Sequence, residues 1–183
     1  QSITGYSGGG KSLIDKYECG TEDNPYTKAP RPYSLGLNHK HLKEMIMHSG
    51  LSQAPVFLPT VADYYKGLAT MIPIHTRLLD VKLEGRGLHK LLEDHYKNQH
   101  FIKIMPYIDE EVLKDGSINC SLPSHGCIFD GGVDITACNN TNMANIFIVG
   151  NDAKGIAMII TRLDNLGKGA SGAAIQNMNI MCG

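Results

Sequence analysis

Residues 4–12 read TGYSGGGKS, and from Gly5 onward they match G-x-x-x-x-G-K-[ST] letter for letter. That signature joins a buried parallel strand to a helix whose first amides bind phosphate, with the lysine neutralising it. Taken at face value it makes the chain a P-loop nucleotide domain built from repeated βαβ units. Its surroundings argue otherwise. Four residues precede Gly5, too short a stretch to show the strand. Downstream, nothing reads as repeated βαβ units. No Walker-B aspartate closes an apolar strand; the nearest, Asp164 after Ile159-Ile160-Thr161-Arg162-Leu163, lies in a stretch with helical patterning.

The remaining segments build a different architecture. Helices are expected over residues 12–18, 41–48 and 87–99, where apolar positions recur at i, i+3 and i+4. Residues 55–58, 68–79, 101–105, 133–138 and 145–149 read as strands, being rich in β-branched residues or bounded by turn residues. Residues 21–30 (TEDNPYTKAP) form a polar loop bearing prolines. Residues 154–163 and 170–181 are apolar and rich in small residues, and both are read as helices. Strands in one block, joined mostly by short turns, point to an α+β domain with a mixed or antiparallel sheet and helices on one face. The expected division is a main α+β domain over residues 1–150, followed by C-terminal helices over 151–183.

Bulk properties narrow the function classes. A chain of 183 residues suffices for one full core, and its 42% hydrophobic and 19% charged fractions are ordinary for a globular protein. A formal charge of −1 gives no reason to expect nucleic acid or an anionic membrane as partner. No apolar run approaches the roughly 20 residues of a membrane span, and no signal-peptide pattern opens the sequence. The five cysteines (Cys19, Cys120, Cys127, Cys138 and Cys182) are odd in number and scattered, without a C-x-x-C. That pattern opposes a disulfide framework and a structural zinc site, and suits a reducing cytoplasm. Two N-x-[ST] matches, at Asn119 and Asn139, are read as chance.

Three stretches carry candidate chemistry. In PYSLGLNHKHLKEM, residues 32–45, His39 and His41 straddle a helix start, with Glu44 three residues after His41. On a strand the two histidines would share a face as zinc ligands do. At a helix start His41 and Glu44 share a side instead, which favours a histidine oriented by a carboxylate over a metal pair. Solvated helix-start residues are the plainer alternative. His75, His89, His95, His100 and His125 show no partner pattern. In NLGKGASGAAIQNMN, residues 165–179, small residues along a helix permit close approach of another backbone or a flat ligand, or simply tight packing. The third stretch is the glycine loop itself.

In this order the three stretches resemble N-acetyl-γ-glutamyl-phosphate reductases. The family's S-G-x-S-G-x-G loop corresponds to residues 4–10. Its Y-x5-H-x-H-x2-E block corresponds to Tyr33, His39, His41 and Glu44. Its closing D-N-L-x-K-G-x-x-G-x-A-x-Q-N-M-N motif corresponds to residues 164–179, with Ala173 and Gln176 in register. The resemblance covers nearly the whole chain. It implies a domain like the C-terminal domain of glyceraldehyde-3-phosphate dehydrogenase and an NADPH-dependent reductive dephosphorylation of a small-molecule acyl phosphate, in arginine biosynthesis. A cysteine thiolate attacks the acyl phosphate, phosphate leaves, and hydride delivered to the thioester gives the semialdehyde.

Residue by residue, the resemblance makes His39 and His41 the acid/base candidates, oriented by Glu44 and Tyr33, without saying which ring reaches the thiol. Ser7 and Gly8 would line the pocket near that thiol, with backbone amides facing an acyl phosphate or its oxyanion. Lys66 stands where the family has a basic residue before glycine, so substrate phosphate is its expected ligand. Gly169, Gly172, Gln176 and Asn177 would approach the nicotinamide of NADP(H), and a homodimer or homotetramer is expected. One departure matters. The family's N-P-G-C-[FY] nucleophile segment and its G-x-x-G-x-x-G dinucleotide fingerprint do not occur here, and Cys127 sits instead in SHGCIF. The chain is therefore expected to be the C-terminal catalytic and dimerisation part. Its final helix would pack on a dinucleotide-binding domain lying outside it, and alone it would be inactive. A P-loop domain and a non-catalytic dimerisation module are the rival readings.

Overall fold

A computed structural model describes residues 1–19, 24, 27–79, 81–115 and 132–183. Cys120, Cys127, His125, the Asn119 sequon and part of the expected 21–30 loop lie outside the described residues. The chain divides into two compact units, Gln1–Tyr65 and Lys66–Gly183.

In the first unit a short strand β1 (Ser2–Gly5) pairs in parallel with β3 (Pro59–Ala62), and β2 (Arg31–Pro32) pairs antiparallel with β3. All four residues of β3 are buried. Residues 55–58, expected as a strand, are irregular, because ladder pairing begins only where Pro59 meets Ser2. A 3-10 turn (Tyr6–Gly9) leads into helix α1 (Lys11–Glu18) through Gly10, whose φ of 70° suits glycine. Helix α2 (His41–Ser49) begins at the histidine pair and stops at Gly50 in the left-handed conformation, the usual helix terminator.

In the second unit β4 (Leu68–His75), β5 (Ile102–Ile104), β6 (Ala144–Asn151) and β7 (Ile156–Leu163) lie in the order β4-β7-β6-β5. The β4–β7 and β7–β6 pairs are antiparallel, and β6–β5 is parallel. Helix α3 (Gly85–Tyr96) lays Leu88, Leu92 and Tyr96 over Ile146, Ile148 and Ala157. On the other face Phe147 packs with Met105, Ile108, Val149 and Ile160. A short α4 (Glu110–Asp115) and the terminal α5 (Gly172–Cys182) complete the elements. The α+β class and the mixed strand orientation agree with the sequence reading.

Two further assignments are corrected. Residues 154–163 form strand β7, not a helix. Asn151 Oδ1 accepts the Lys154 amide at 3.1 Å and Gly155 adopts a φ of 62°, which closes a tight turn and folds 156–163 back onto β6. Its two faces meet the two apolar clusters, so the run lacks the polar alternation that marks a half-buried strand. Residues 133–138 are turn, not strand. The Asp134 carboxylate accepts both the amide and the hydroxyl of Thr136 at 2.8 Å, an Asx turn that competes with the ladder. The expected division after residue 150 falls inside the β6–β7 hairpin.

Candidate active-site constellations

The glycine loop does follow a strand and precede a helix, as a phosphate loop would. Three of its amides, however, are bonded within the fold. Tyr6 and Ser7 donate to the carbonyls of Tyr64 and Tyr65 at 2.9 and 3.0 Å, and Gly10 donates to Ser7 at 3.1 Å. A Cβ on Gly5 would lie 2.5 Å from the Tyr64 carbonyl oxygen, so this glycine is required by backbone approach. Ser7 is buried, whereas Gly8, Gly9, Gly10 and Lys11 are exposed. The turn is a packed corner pinned to residues 64–65, not an open cradle of converging amides.

The histidine pair sits at a strained approach. Between Tyr33 and His39, Ser34 and Leu37 hold positive φ values of 56° and 54°, and the Leu37 amide donates to the Ser34 carbonyl. Left-handed backbone costs a non-glycine residue about 1–2 kcal/mol. The kinked loop brings the His39 ring beside Tyr33, His41 and Phe57, with centroids at 5.8, 4.8 and 5.1 Å. His39 Nδ1 accepts the His41 backbone amide at 3.2 Å, capping α2. A ring that accepts at Nδ1 carries its neutral-state proton on Nε2. Partial burial lowers the His39 pKa, and the His41 and Lys40 charges push it further down against the opposing pull of Glu44. Burial also raises the Tyr33 phenol, which stays protonated. No hydrogen bond or ion pair in the described structure joins Glu44 to either ring; its influence on His39 is Coulombic.

In the second unit Lys66 meets a buried carboxylate, Asp164. Asp164, 1% exposed, follows β7. Its Oδ1 accepts the Leu166 and Gly167 amides at 2.8 and 3.1 Å, and its Oδ2 accepts the Asn140 amide at 2.7 Å. Lys66 Nζ stands 3.5 Å from Oδ2 and donates to Asn140 Oδ1 at 2.5 Å. Burial alone would raise this carboxyl, but the three amides and the ammonium outweigh it and hold the pKa below the usual carboxylate range. Sequence reasoning noted Asp164 as a rejected Walker-B candidate and as the start of the closing motif, and gave it no role in a site. Its signal was D-x-x-G after an apolar run, the pattern of a carboxylate that caps its own turn.

The closing motif is organised around that carboxylate. Residues Gly167–Ser171 form a π turn, with Gly169 donating to the Asp164 carbonyl and Ser171 to the Leu166 carbonyl. A Cβ on Gly172 would lie 2.8 Å from the Gly167 carbonyl oxygen, and one on Gly169 would lie 3.3 Å from Leu163. Gln176 Oε1 accepts from Asn142 and from Lys168 at 3.0 and 2.7 Å. Of the four residues expected at the nicotinamide, two are packing glycines and the Gln176 oxygen is occupied, leaving Asn177 exposed. By themselves they do not fit a cofactor cradle. The Asn139 side chain is likewise engaged, donating to the Lys66 carbonyl at 2.8 Å. No group of three or more metal-ligating side chains occurs among the described residues, and no described helix is long and apolar enough to cross a membrane.

The mixed α+β architecture, with antiparallel β4–β7–β6 pairing, is not that of a phosphate-loop domain built from repeated βαβ units. The chain is a member of the semialdehyde dehydrogenase dimerisation-domain family, whose model matches residues 1–165. Among curated relatives, N-acetyl-gamma-glutamyl-phosphate reductase 2 of Nostoc sp. is 40% identical over 185 residues, covering 100% of this chain and 53% of the relative. The N-acetyl-gamma-glutamyl-phosphate reductase of Burkholderia lata is 34% identical over 182 residues, covering 100% and 52%. The chain thus spans about half the length of the curated relatives it matches. Two solved aspartate semialdehyde dehydrogenases share the fold. The Vibrio cholerae enzyme II aligns with a TM-score of 0.58 at 15% identity, over 99% of this chain and 53% of that one. The Francisella tularensis enzyme aligns at 0.59 and 13%, over 99% and 56%.

The capped ring makes a direct prediction. By proton NMR, His39 titrates below the ordinary 6.5. Glu44→Gln lowers the midpoint further, because it removes the one charge that favours the imidazolium, and Lys40→Met raises it. A midpoint at or above 6.5 contradicts the described environment.

Proposed function

We propose that the chain is the catalytic and dimerisation part of an N-acetyl-γ-glutamyl-phosphate reductase, acting in the cytoplasm in arginine biosynthesis. The observation that carries this reading is 40% identity across the whole chain to a relative of that name. It is supported by the matching order of the glycine corner, the histidine pair and the closing motif. The nucleophile comes from outside these residues. Cys138, one candidate inside, is buried and its thiol is pushed up by that burial despite the Arg162 charge nearby, which suits an inert packing residue. NADP(H), bound mainly by a dinucleotide-binding domain beyond this sequence, supplies the hydride.

The chain's own residues contribute proton chemistry and positioning. With Nδ1 engaged by the His41 amide, neutral His39 offers Nε2–H, a donor suited to a developing oxyanion or the departing phosphate. Taking a proton at Nε2 would require the other tautomer, whose Nδ1–H would oppose the amide hydrogen. His41 is exposed and has no such restraint, so it is assigned the acid/base role. Tyr33, kept protonated and packed at the His39 ring, orients that ring. The P-loop alternative loses support from the internally bonded amides of Tyr6 and Ser7.

Homo-oligomerisation is supported by the family description. The surface proposed for a second copy is the face of β4, β7 and β6 opposite α3. There Pro73, Ile156, Met158, Val149 and Leu113 line an apolar depression of about 620 Å³, edged by Glu110 and Lys154.

Two measurements test the reading. In the full-length protein assayed with N-acetyl-γ-glutamyl phosphate and NADPH, His41→Ala lowers kcat by about 10²- to 10⁴-fold. His39→Ala costs less, about 10- to 100-fold, as a lost donor. Near-normal rates in both variants contradict the site, and absence of turnover in the unaltered protein favours the non-catalytic dimerisation module. By sedimentation, Met158→Glu converts the oligomer to a smaller species; an unchanged mass excludes this face.

A further inference from the structure

Lys66 is the one basic residue that the resemblance would hand to the substrate phosphate, and its surroundings describe other work. The residue is grasped at every polar atom given for it. Its Nζ donates to Asn140 Oδ1 at 2.5 Å and pairs with Asp164 at 3.5 Å. Its carbonyl accepts from Asn139 Nδ2 at 2.8 Å. The next amide, Gly67, donates to Asn165 Oδ1 at 2.7 Å, at a φ of 123° that only glycine adopts readily. Side chains from the 139–140 turn and the 164–165 turn therefore close on the 66–67 peptide from both directions.

Charge bookkeeping points the same way. Asp164 is a nearly fully buried carboxylate, and Lys66 is the cation that the described ion pairs give it. A buried charge stripped of its partner is strongly destabilising, so an ammonium swung out to a phosphate would leave an expensive vacancy behind it. The carboxylate in turn fixes the Leu166 and Gly167 amides, and its own carbonyl accepts Gly169 in the π turn from which α5 departs. We infer that Lys66 is a positioning residue, which acts through Asp164 to clamp the 164–171 turn and set the departure of α5, and that it is not a phosphate ligand. The clamp itself stands whether or not the protein is the proposed reductase; only the kinetic consequence below rests on that reading.

The test uses the full-length protein with Lys66→Met, Lys66→Arg, Asp164→Asn and the Lys66→Met/Asp164→Asn double variant. Hydrogen exchange is followed by mass spectrometry in peptides spanning residues 139–142 and 164–171. Lys66→Met is expected to speed exchange in both peptides by about tenfold or more, and Lys66→Arg to restore most of the protection. The double variant is expected to exchange no faster than Asp164→Asn alone, as one clamp predicts. Inorganic phosphate, titrated calorimetrically, is expected to bind Lys66→Met as it binds the unaltered protein. Under the reductase reading, Lys66→Met raises the KM for the nicotinamide nucleotide while leaving that for the acyl phosphate, and Lys66→Arg rescues it. Unchanged exchange in Lys66→Met, loss of phosphate binding in that variant, or a KM effect confined to the acyl phosphate would each overturn the inference. If the protein turns nothing over, the reductase reading fails and the exchange and phosphate arms still decide the clamp.

Discussion

A single buried carboxylate organises the second unit. Asp164 ends β7, accepts three backbone amides, and pairs with Lys66 at the entrance of β4. Each contact ties a different piece of chain to the same point: the 139–140 turn that leads into β6, the turn that launches α5, and Lys66 just before β4. Placing a charge there is costly in a low dielectric, and three amide donors and the Lys66 ammonium offset that cost. The glycines of the closing motif follow from the same constraint. Gly167 and Gly172 must fold the chain back within contact of Thr141, Asn142 and one another, where a side chain would collide with backbone.

The first unit applies the opposite economy at its histidines. Its loop is strained at Ser34 and Leu37 and largely exposed, and the His39 ring is held through a hydrogen bond from the His41 amide. The glycine corner at residues 5–10 shows a third solution. It has the composition of a phosphate cradle, yet the Tyr6 and Ser7 amides are directed into the fold by carbonyls of the 64–65 segment.

What the sequence revealed and what it hid follow from the range of the forces involved. Helices α1, α2 and α3 were legible because their apolar positions repeat locally, and the histidine pair was placed correctly at a helix start. Strand β7 was misread because IAMIITRL carries apolar residues on both faces, so it lacks the alternation that distinguishes a half-buried strand from a small-residue helix. The 133–138 stretch was misread because Asp134 diverts its backbone into a turn. Lys66 was the least legible of the candidate residues. Its partners Asn139, Asn140 and Asp164 lie 73 to 98 positions away, and no local pattern encodes such a meeting. Glu44 shows the converse, since helical spacing placed it beside His41 and the structure gives it only a Coulombic influence on His39.

The central claim is that Asp164 is ionised, buried and clamped. Carbon-13 NMR of the side-chain carboxyl through an acid titration measures this directly. A carboxyl whose folded pKa lies below its unfolded one stabilises the protein above the unfolded value and loses that contribution as pH falls through the folded one. Asp164 is therefore expected to stay ionised through its ordinary 3.8 and to titrate below it, together with the loss of its stabilising contribution. A midpoint at or above 3.8 in the folded protein would contradict the clamp.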